Sequence, residues 1–424
     1  MLKMGAEESP ETVTVPLSGN RGFRLLMGGQ LASSLGTSAA AIALPLVLLD
    51  LTGSTAAAGS VSAMAMLITL LLGLVAGVFA DRWPRRGTLV VAALVAAVVW
   101  AVSAFVLHIG ASSFGILVAA AGVSALAMTF FQPAQNGAVR HLVPRAQLSQ
   151  AIAIDQARET TASLLGAPIG GALLVLGPAV AIAADSAGFL IAAACIAVIG
   201  TSLGPNRAAG QAAEKGRAIT GYLRGLLRDA GAGLKHLWST PAIRTCFLAA
   251  AVLNLPFIGI QVGLVLGLRA AGTPVYLIGL VETFSGLGAI VGATLVGPMN
   301  RRISLGRQIA ITSWAIATGG LLIALTFPHI WFVLPACFLN TLFVPALNGT
   351  LMGHVFGSAP EDLAGRLGAA AQIASGLLIP LAPLAAGILI QAASGQIALV
   401  TFAGLLVAIA AALSATPSIR RLTT

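Results

Sequence analysis

The chain has 424 residues, of which 58% are hydrophobic and only 8% charged, with 49 glycines and a mean hydropathy of +0.96. A water-soluble fold of this length has no core large enough to hide so much apolar surface, so the composition specifies an integral membrane protein. The formal net charge of +10 does not point to nucleic acid, because the basic residues are divided among short loops and not gathered on one soluble face.

A hydrocarbon layer of roughly 30 Å requires about 20 apolar residues per helix. Twelve such runs, bounded by turn or charge signals, are expected at 22 to 49, 58 to 80, 88 to 109, 113 to 138, 148 to 177, 179 to 200, 243 to 268, 275 to 298, 308 to 327, 330 to 356, 367 to 391 and 396 to 414. They are too long and too apolar for barrel strands, and lipid leaves no backbone group unpaired, so the spans are helices. The first 20 residues form a polar tail with Glu7, Glu8 and Glu11 against Lys3, and the run after it exceeds a secretory signal, so it is expected to stay as the first helix. With the N-terminus in the cytoplasm, every one of the 23 Lys and Arg residues except Arg158 and Arg269 falls on the cytoplasmic side, which is the positive-inside pattern. The expectation is a multi-pass, all-α protein of the cytoplasmic (inner) membrane with both termini cytoplasmic.

Residues 201 to 242 interrupt the pattern. They open with the polar LGPNRAAGQAAEKGR and continue as ITGYLRGLLRDAGAGLKHLW, whose leucines and basic residues fit an amphipathic helix on the cytoplasmic face. The expected organisation is a tail at 1–20, a six-helix bundle at 21–200, this linker at 201–242, a second six-helix bundle at 243–414 and a tail at 415–424. The bundles repeat: FFQPAQNG at 130–137 recurs as LFVPALNG at 342–349, an offset of 212, and Pro168 falls on Pro380 at the same offset. Twelve transmembrane helices in two six-helix pseudo-repeats place a substrate site near the midplane between the halves, which is a transporter's architecture.

Cys195, Cys246 and Cys337 lie in three different spans without ligand spacing, and the five histidines form no motif, so neither a metal nor a cofactor is expected. The chain contains no GxxxxGK[ST] loop for ATP and no nucleophile, base and oxyanion set for an enzyme. Ionisable residues inside a span are costly and by default mark a site. Glu282, about two turns into the eighth helix with no cation within a turn, is the candidate for proton coupling; its bland alternative is a neutral acid bonded to a neighbouring helix. Asp155, Arg158 and Glu159 in the fifth helix are spaced to neutralise one another, as a structural or gating network. Asp50 and Asp185 are expected near the outer helix ends, solvated or capping. No basic residue is expected at the centre of the substrate path.

Between the second and third helices, GVFADRWPRR at 77–86 sets four charged residues within six positions. This stretch resembles the loop motif of the major facilitator superfamily, matching at Gly77, Asp81, Arg82, Arg85 and Arg86 and departing where Pro84 stands for a second glycine. NRGFRLLMGGQLASSLG, PLVLLDLTGS, AADSAGFL and LRDAGAGLKHLWSTPAIR resemble the branch that includes macrolide-type efflux pumps and the enterobactin exporter. The resemblance implies a conformational latch, in which Asp81 meets a helix N-terminus and the arginines bridge to acids or carbonyls of the other half. The second-half loop GPMNRRISLGR keeps Gly297, Arg301 and Arg302 but has no acid.

LLGAPIGGALL, with Gly166, Pro168, Gly170 and Gly171, is similar to the glycine-proline motif of drug/proton antiporters, although helix packing alone explains small residues there. The arginine often found in the fourth helix of such antiporters is absent. The superfamily lines its path with the first, fourth, seventh and tenth helices, which nominates Gln30, Ser33, Ser34, Phe131, Gln135, Asn254, Phe257, Gln261, Asn340 and Phe343 as cavity residues. Amides and aromatic faces suit a bulky amphiphile. The resemblance therefore implies a monomeric exporter of a hydrophobic or amphiphilic small molecule (a drug, macrolide-like compound or siderophore), working by proton antiport among membrane lipids with no nucleic-acid partner. A nutrient or lipid importer of the same fold, or a transport-inactive sensor, is the alternative.

Overall fold

The computed structural model describes residues 16–80, 83–111, 113–201, 203, 238–239, 241–349 and 375–416. Among them the chain forms helices α1 (Arg21–Thr52), α2 (Thr55–Ala80), α3 (Arg85–His108), α4 (Phe114–Leu142), α5 (Leu148–Leu176), α6 (Pro178–Val198), α7 (Pro241–Ala270), α8 (Val275–Arg302), α9 (Leu305–Thr326), α10 (Ile330–Leu342), α11 (Leu381–Ala392) and α12 (Gly395–Ala415). Eleven spans are long and apolar enough to cross a membrane, α10 being counted through Gly349, and α11 is the short twelfth. The chain reverses direction at each connection. The end where α1 starts and α12 finishes is called the near end below, and the opposite one the far end.

Local chemistry sets these boundaries. The side chain of Asn20 caps α1 by accepting from Phe23 N at 3.0 Å, and its own amide donates to Leu142 O at 2.7 Å, tying the start of α1 to the end of α4. The turn from α1 to α2 passes through Gly53 at φ 64°, and the turn from α5 to α6 through Gly177 at φ 136°, both left-handed conformations that a side chain would strain. On α3 the exposed residues Val91, Val95, Val98, Val102 and Phe105 recur at i, i+4, i+7, i+11 and i+14. A stripe of that period carrying only apolar side chains is a lipid-facing surface.

Two expected spans differ from the observed ones. The run at 330 to 356 is interrupted by a turn at Phe343 before helix resumes at 344–349. Pro345 causes the break, since it has no N–H to return to the carbonyl of Thr341. The run at 367 to 391 is described only from residue 375, and a turn at 377–380 precedes α11, which starts directly after Pro380. The first-half counterparts Pro133 and Pro168 lie inside unbroken helices. The repeat is thus closer in sequence than in backbone. The 201–242 linker, with its expected amphipathic helix, and most of both tails lie outside the described residues.

Within the first half, α1 packs on α5 and α6, α3 on α4 and α6, and α2 on α4. In the second, α8 packs on α10, α9 on α10 and α12, and α7 on α11 and α12. Two long contacts join the halves, α5 with α8 and α2 with α11. The buried cores are distributed unevenly along the axis. At the far end, Ile42, Leu46 and Ala167 share a cluster with Ile260, Leu264 and Ile278, and Val47 and Leu48 share one with Leu266 and Ile390. At the near end, the cluster around Phe23, Leu26, Leu89 and Phe131 draws, among the described residues, on the first half and its flanking Leu17 and Leu203.

Candidate functional site

The joint between the halves is built from main chain. A Cβ on Gly170 would meet Ala39 Cα at 2.8 Å, and one on Gly166 would meet Leu35 O at 2.9 Å, so both glycines let α5 close on α1. Gly171 faces the other way, with Val275 O at 2.9 Å and Tyr276 Cα at 3.3 Å from its Cβ position, while Gly279 of α8 meets Ala167 O at 2.7 Å and Pro168 Cα at 3.0 Å. The four residues of the glycine-proline stretch therefore serve two crossings, α1 with α5 and α5 with α8. Thr283 Oγ1 donates to Leu164 O at 3.3 Å farther down the same seam. On the α2 and α11 seam, Thr55 Oγ1 donates to Gly387 O at 2.8 Å, and Gly59 lies against the Pro383 carbonyl.

One ion pair spans the halves at the far end. Arg269 Nε and Nη2 donate to Asp50 Oδ1 and Oδ2 at 2.9 and 2.8 Å. Beside it opens a recess of about 510 Å³ lined by Leu49, Thr55, Ile390 and Gln391. Asp50 is exposed, as expected of a solvated acid, and is in addition paired with a partner 219 residues away. Among the described residues, nothing lies within 4 Å of the Cβ positions of Gly73 and Gly77 of α2 or Gly297 of α8, toward the near end.

In the loop motif, Arg85 Nη1 donates to Gly137 O at 3.2 Å and Arg86 Nη2 donates to Ala197 O, carbonyls at the ends of α4 and α6 in their own half. Asp81 and Arg82 lie outside the described residues. Trp83, which the motif reading passed over, stacks on Phe130 with ring centroids 6.2 Å apart and packs on Phe79 at 4.7 Å, fixing the turn between α2 and α3 against α4.

In α5, Arg158 pairs with Asp155 at 3.0 Å, with side chains 9% and 17% exposed. Its Nη1 also donates to Gln30 O at 3.2 Å and Ser34 Oγ at 2.5 Å on α1. The network is a tie between α1 and α5, and Glu159 is exposed outside it. Arg158 thus reaches two of the residues nominated for the path, through a main-chain carbonyl and a hydroxyl, with its charge opposed by Asp155. Gln30 itself is 1% exposed, and among the described residues both its amide atoms lack a partner. Ser33 donates to Gln30 O at 3.1 Å.

Phe131 and Gln135 are buried on α4. On α7, Asn254 donates to Ser375 O at 3.1 Å, while Phe257 and Gln261 are half-buried. Asn340 is fully buried and donates to Ile316 O at 2.8 Å, a bond between α10 and α9 inside the second half. Phe343 stands half-buried at the break after α10.

Glu282 is half-buried on the α8 face that also carries the buried Ile278 and Ser285, opposite the exposed Leu287, Ile290 and Val291. On that face Thr341 Oγ1 of α10 donates to Ser285 O at 2.6 Å, and Cys337 of α10 is buried. Among the described residues the Glu282 carboxylate has no cation and no hydrogen bond. An ionised carboxylate in that setting loses hydration with nothing returned.

The sequence matches the family model "Major Facilitator Superfamily" over residues 26–383. The chain belongs to the major facilitator superfamily. This major facilitator protein is 26% identical over 381 residues, 84% of each chain, to the uncharacterized MFS-type transporter YfiS of Bacillus subtilis (strain 168). Its fold is similar to that of the nucleoside transporter NupG, with a TM-score of 0.72 at 13% identity over 93% of this chain and 98% of that one. It is also similar to a bacterial homolog of the human lysosomal transporter Spinster in an inward-facing, unoccupied conformation, with a TM-score of 0.70 at 15% identity over 95% and 98%. The chain is therefore a multi-pass membrane transporter of the major facilitator type.

Proposed function

We propose that this transporter exports a hydrophobic or amphiphilic small molecule (a drug, macrolide-like compound or siderophore) across the cytoplasmic membrane in exchange for protons. The near end is the cytoplasmic one: Arg21, Arg24, Arg85, Arg86, Arg140, Arg145, Arg244, Arg301, Arg302 and Arg307 all lie there, against Arg269 alone at the far end among the described residues. Residues 21–200 and 243–414 act as the two moving bundles and 201–242 as their cytoplasmic linker. The molecule is in the state sealed at the far end, where glycine seams and the Asp50–Arg269 pair close the path, and alternating access consists of parting those seams while the near end closes. The latch of Gly77, Asp81, Arg82, Arg85 and Arg86 belongs to that near-end closure. The cargo meets the amides and aromatic rings of α1, α4, α7 and α10, in a monomer surrounded by lipid.

The observation that carries the coupling is Glu282, an acid on the buried face of α8 with no counter-ion among the described residues. It takes up a proton when reached from one side and gives it up on the other. The test compares, by untargeted mass spectrometry, the cell contents and medium of a strain lacking the protein, the strain with it restored, and the strain restored with Glu282→Gln. A compound trapped in the deletion strain, released on restoration and not by the Gln variant, supports proton-coupled export. A compound left in the medium by the deletion strain makes the protein an importer.

A further inference from the structure

A second acid lies as deep as Glu282. Asp185 is seven residues into α6 and Glu282 seven residues into α8, so each sits about 10 Å from the far end at 1.5 Å per residue. One belongs to each half. The sequence reading treated Asp185 as solvated or capping, yet its side chain is 2% exposed. Gly36 makes this burial possible: a Cβ there would meet Asp185 Cα at 2.8 Å and Oδ1 at 3.0 Å, so α1 lies directly over the carboxylate. Its one hydrogen bond among the described residues comes from Thr37 Oγ1 at 3.1 Å.

Among the described residues no charge balances it. The helices packed on α6 are α1, α3 and α5. Their titratable groups are Arg21, Arg24 and Asp50 on α1, Arg85, Arg86 and His108 on α3, and Asp155, Arg158 and Glu159 on α5. Asp50 is occupied by Arg269, Arg158 by Asp155, and Arg85 and Arg86 by carbonyls at the near end. Cys195, the other titratable group of α6, is ten residues farther on, about 15 Å along the helix.

Thr37, unlike the acid it serves, is exposed. It shares one stripe of α1 with Gln30, Ser34 and Ala41, at i, i+4, i+7 and i+11. The other sides of α1 are taken by α5, through Ala39, and by α6, through Gly29 and Gly36. Gln30 is buried and Ser34 half-buried, while Thr37 and Ala41 are exposed, so the stripe opens at its far-end members on the side of α1 that those contacts leave uncovered. We propose that Asp185 is a second proton-carrying carboxylate, held in the first half and connected to the central space by the Thr37 hydroxyl. On release, the O–H bond of the carboxylic acid breaks and its proton passes to the Thr37 oxygen, while that hydroxyl gives its own proton to water in the central space. The carboxylate is left accepting the Thr37 hydrogen bond seen in the structure. Uptake is the reverse.

The inference rests on the proton-coupled reading above, and the test separates the two. Infrared spectra of the purified full-length protein in lipid are recorded across pH for wild type, Asp185→Asn, Glu282→Gln and Thr37→Val, following the stretch of the protonated carboxyl group and its exchange in heavy water. Asp185→Asn is expected to lose a pH-dependent carboxyl band that Glu282→Gln retains, and Thr37→Val to keep that band but slow its deuterium exchange. If Asp185→Asn leaves the carboxyl region unchanged, Asp185 does not carry a proton and the proposal is wrong, whatever Glu282 does. If Glu282→Gln removes no band while Asp185→Asn does, the coupling role of Glu282 falls and that of Asp185 stands. Should the Asn variant fail to fold, unchanged exchange in Thr37→Val overturns the relay by itself.

Discussion

Replacing Arg269 by Gln removes the one ion pair that crosses the far end among the described residues. The side chains of Arg269 and Asp50 are 30% and 46% exposed, beside an open recess, so water and salt screen them. An exposed pair contributes about 0.2–1 kcal/mol, and the two-pronged geometry places this one near the upper figure. At about 1.4 kcal/mol per tenfold, losing 1 kcal/mol shifts the balance between far-end-closed and far-end-open states about fivefold toward open. The seams stay in place, so the closed state is weakened and not abolished. Spin labels at Ala111 and Ala271, in a cysteine-free background, report the far-end separation by pulsed dipolar spectroscopy. Arg269→Gln and Asp50→Asn should each enlarge the long-distance population, high salt should do so in wild type alone, and the reversal Asp50→Arg with Arg269→Asp should restore the short distances. Single neutralisations that leave the distribution unchanged, or a reversal that rescues nothing, refute the latch.

The seams and the α1–α5 tie allow two further tests. Gly170→Ala sets a methyl against the Ala39 backbone and should cost about 1–3 kcal/mol, whereas Gly73→Ala, with open space around it, should be neutral or stabilising by up to about 1 kcal/mol; thermal unfolding in detergent compares them. Arg158→Met leaves a mostly buried Asp155 uncompensated and should lose about 2–3 kcal/mol by the same assay, with Asp155→Asn added to Arg158→Met recovering much of it.

The spans were legible because lipid enforces a single rule, about 20 apolar residues with every backbone group paired inside the segment. Both helix interruptions, at Phe343 and at 377–380, sit beside prolines that the sequence displayed, but it gives no sign that Pro133 and Pro168 are tolerated where Pro345 and Pro380 break the helix. Depth along a helix was readable for Glu282; rotation about the axis was not. Asp185 was placed at the right height and given the wrong surroundings, because its burial depends on a glycine of α1 nearly 150 positions earlier. Asp50 is solvated as expected, but its partner Arg269 is supplied only by folding. The glycine-proline stretch was recognised as packing, but which glycine meets which helix needed the coordinates.

The seams between the halves meet main chain to main chain. Such a joint holds its shape whatever side chains come to line the central space, so ligand contacts can be rewritten by mutation without rebuilding the machinery that moves them. The vulnerable positions are then the empty ones: a methyl gained at Gly171 or Gly279 does more harm than most exchanges among the residues that face the cargo.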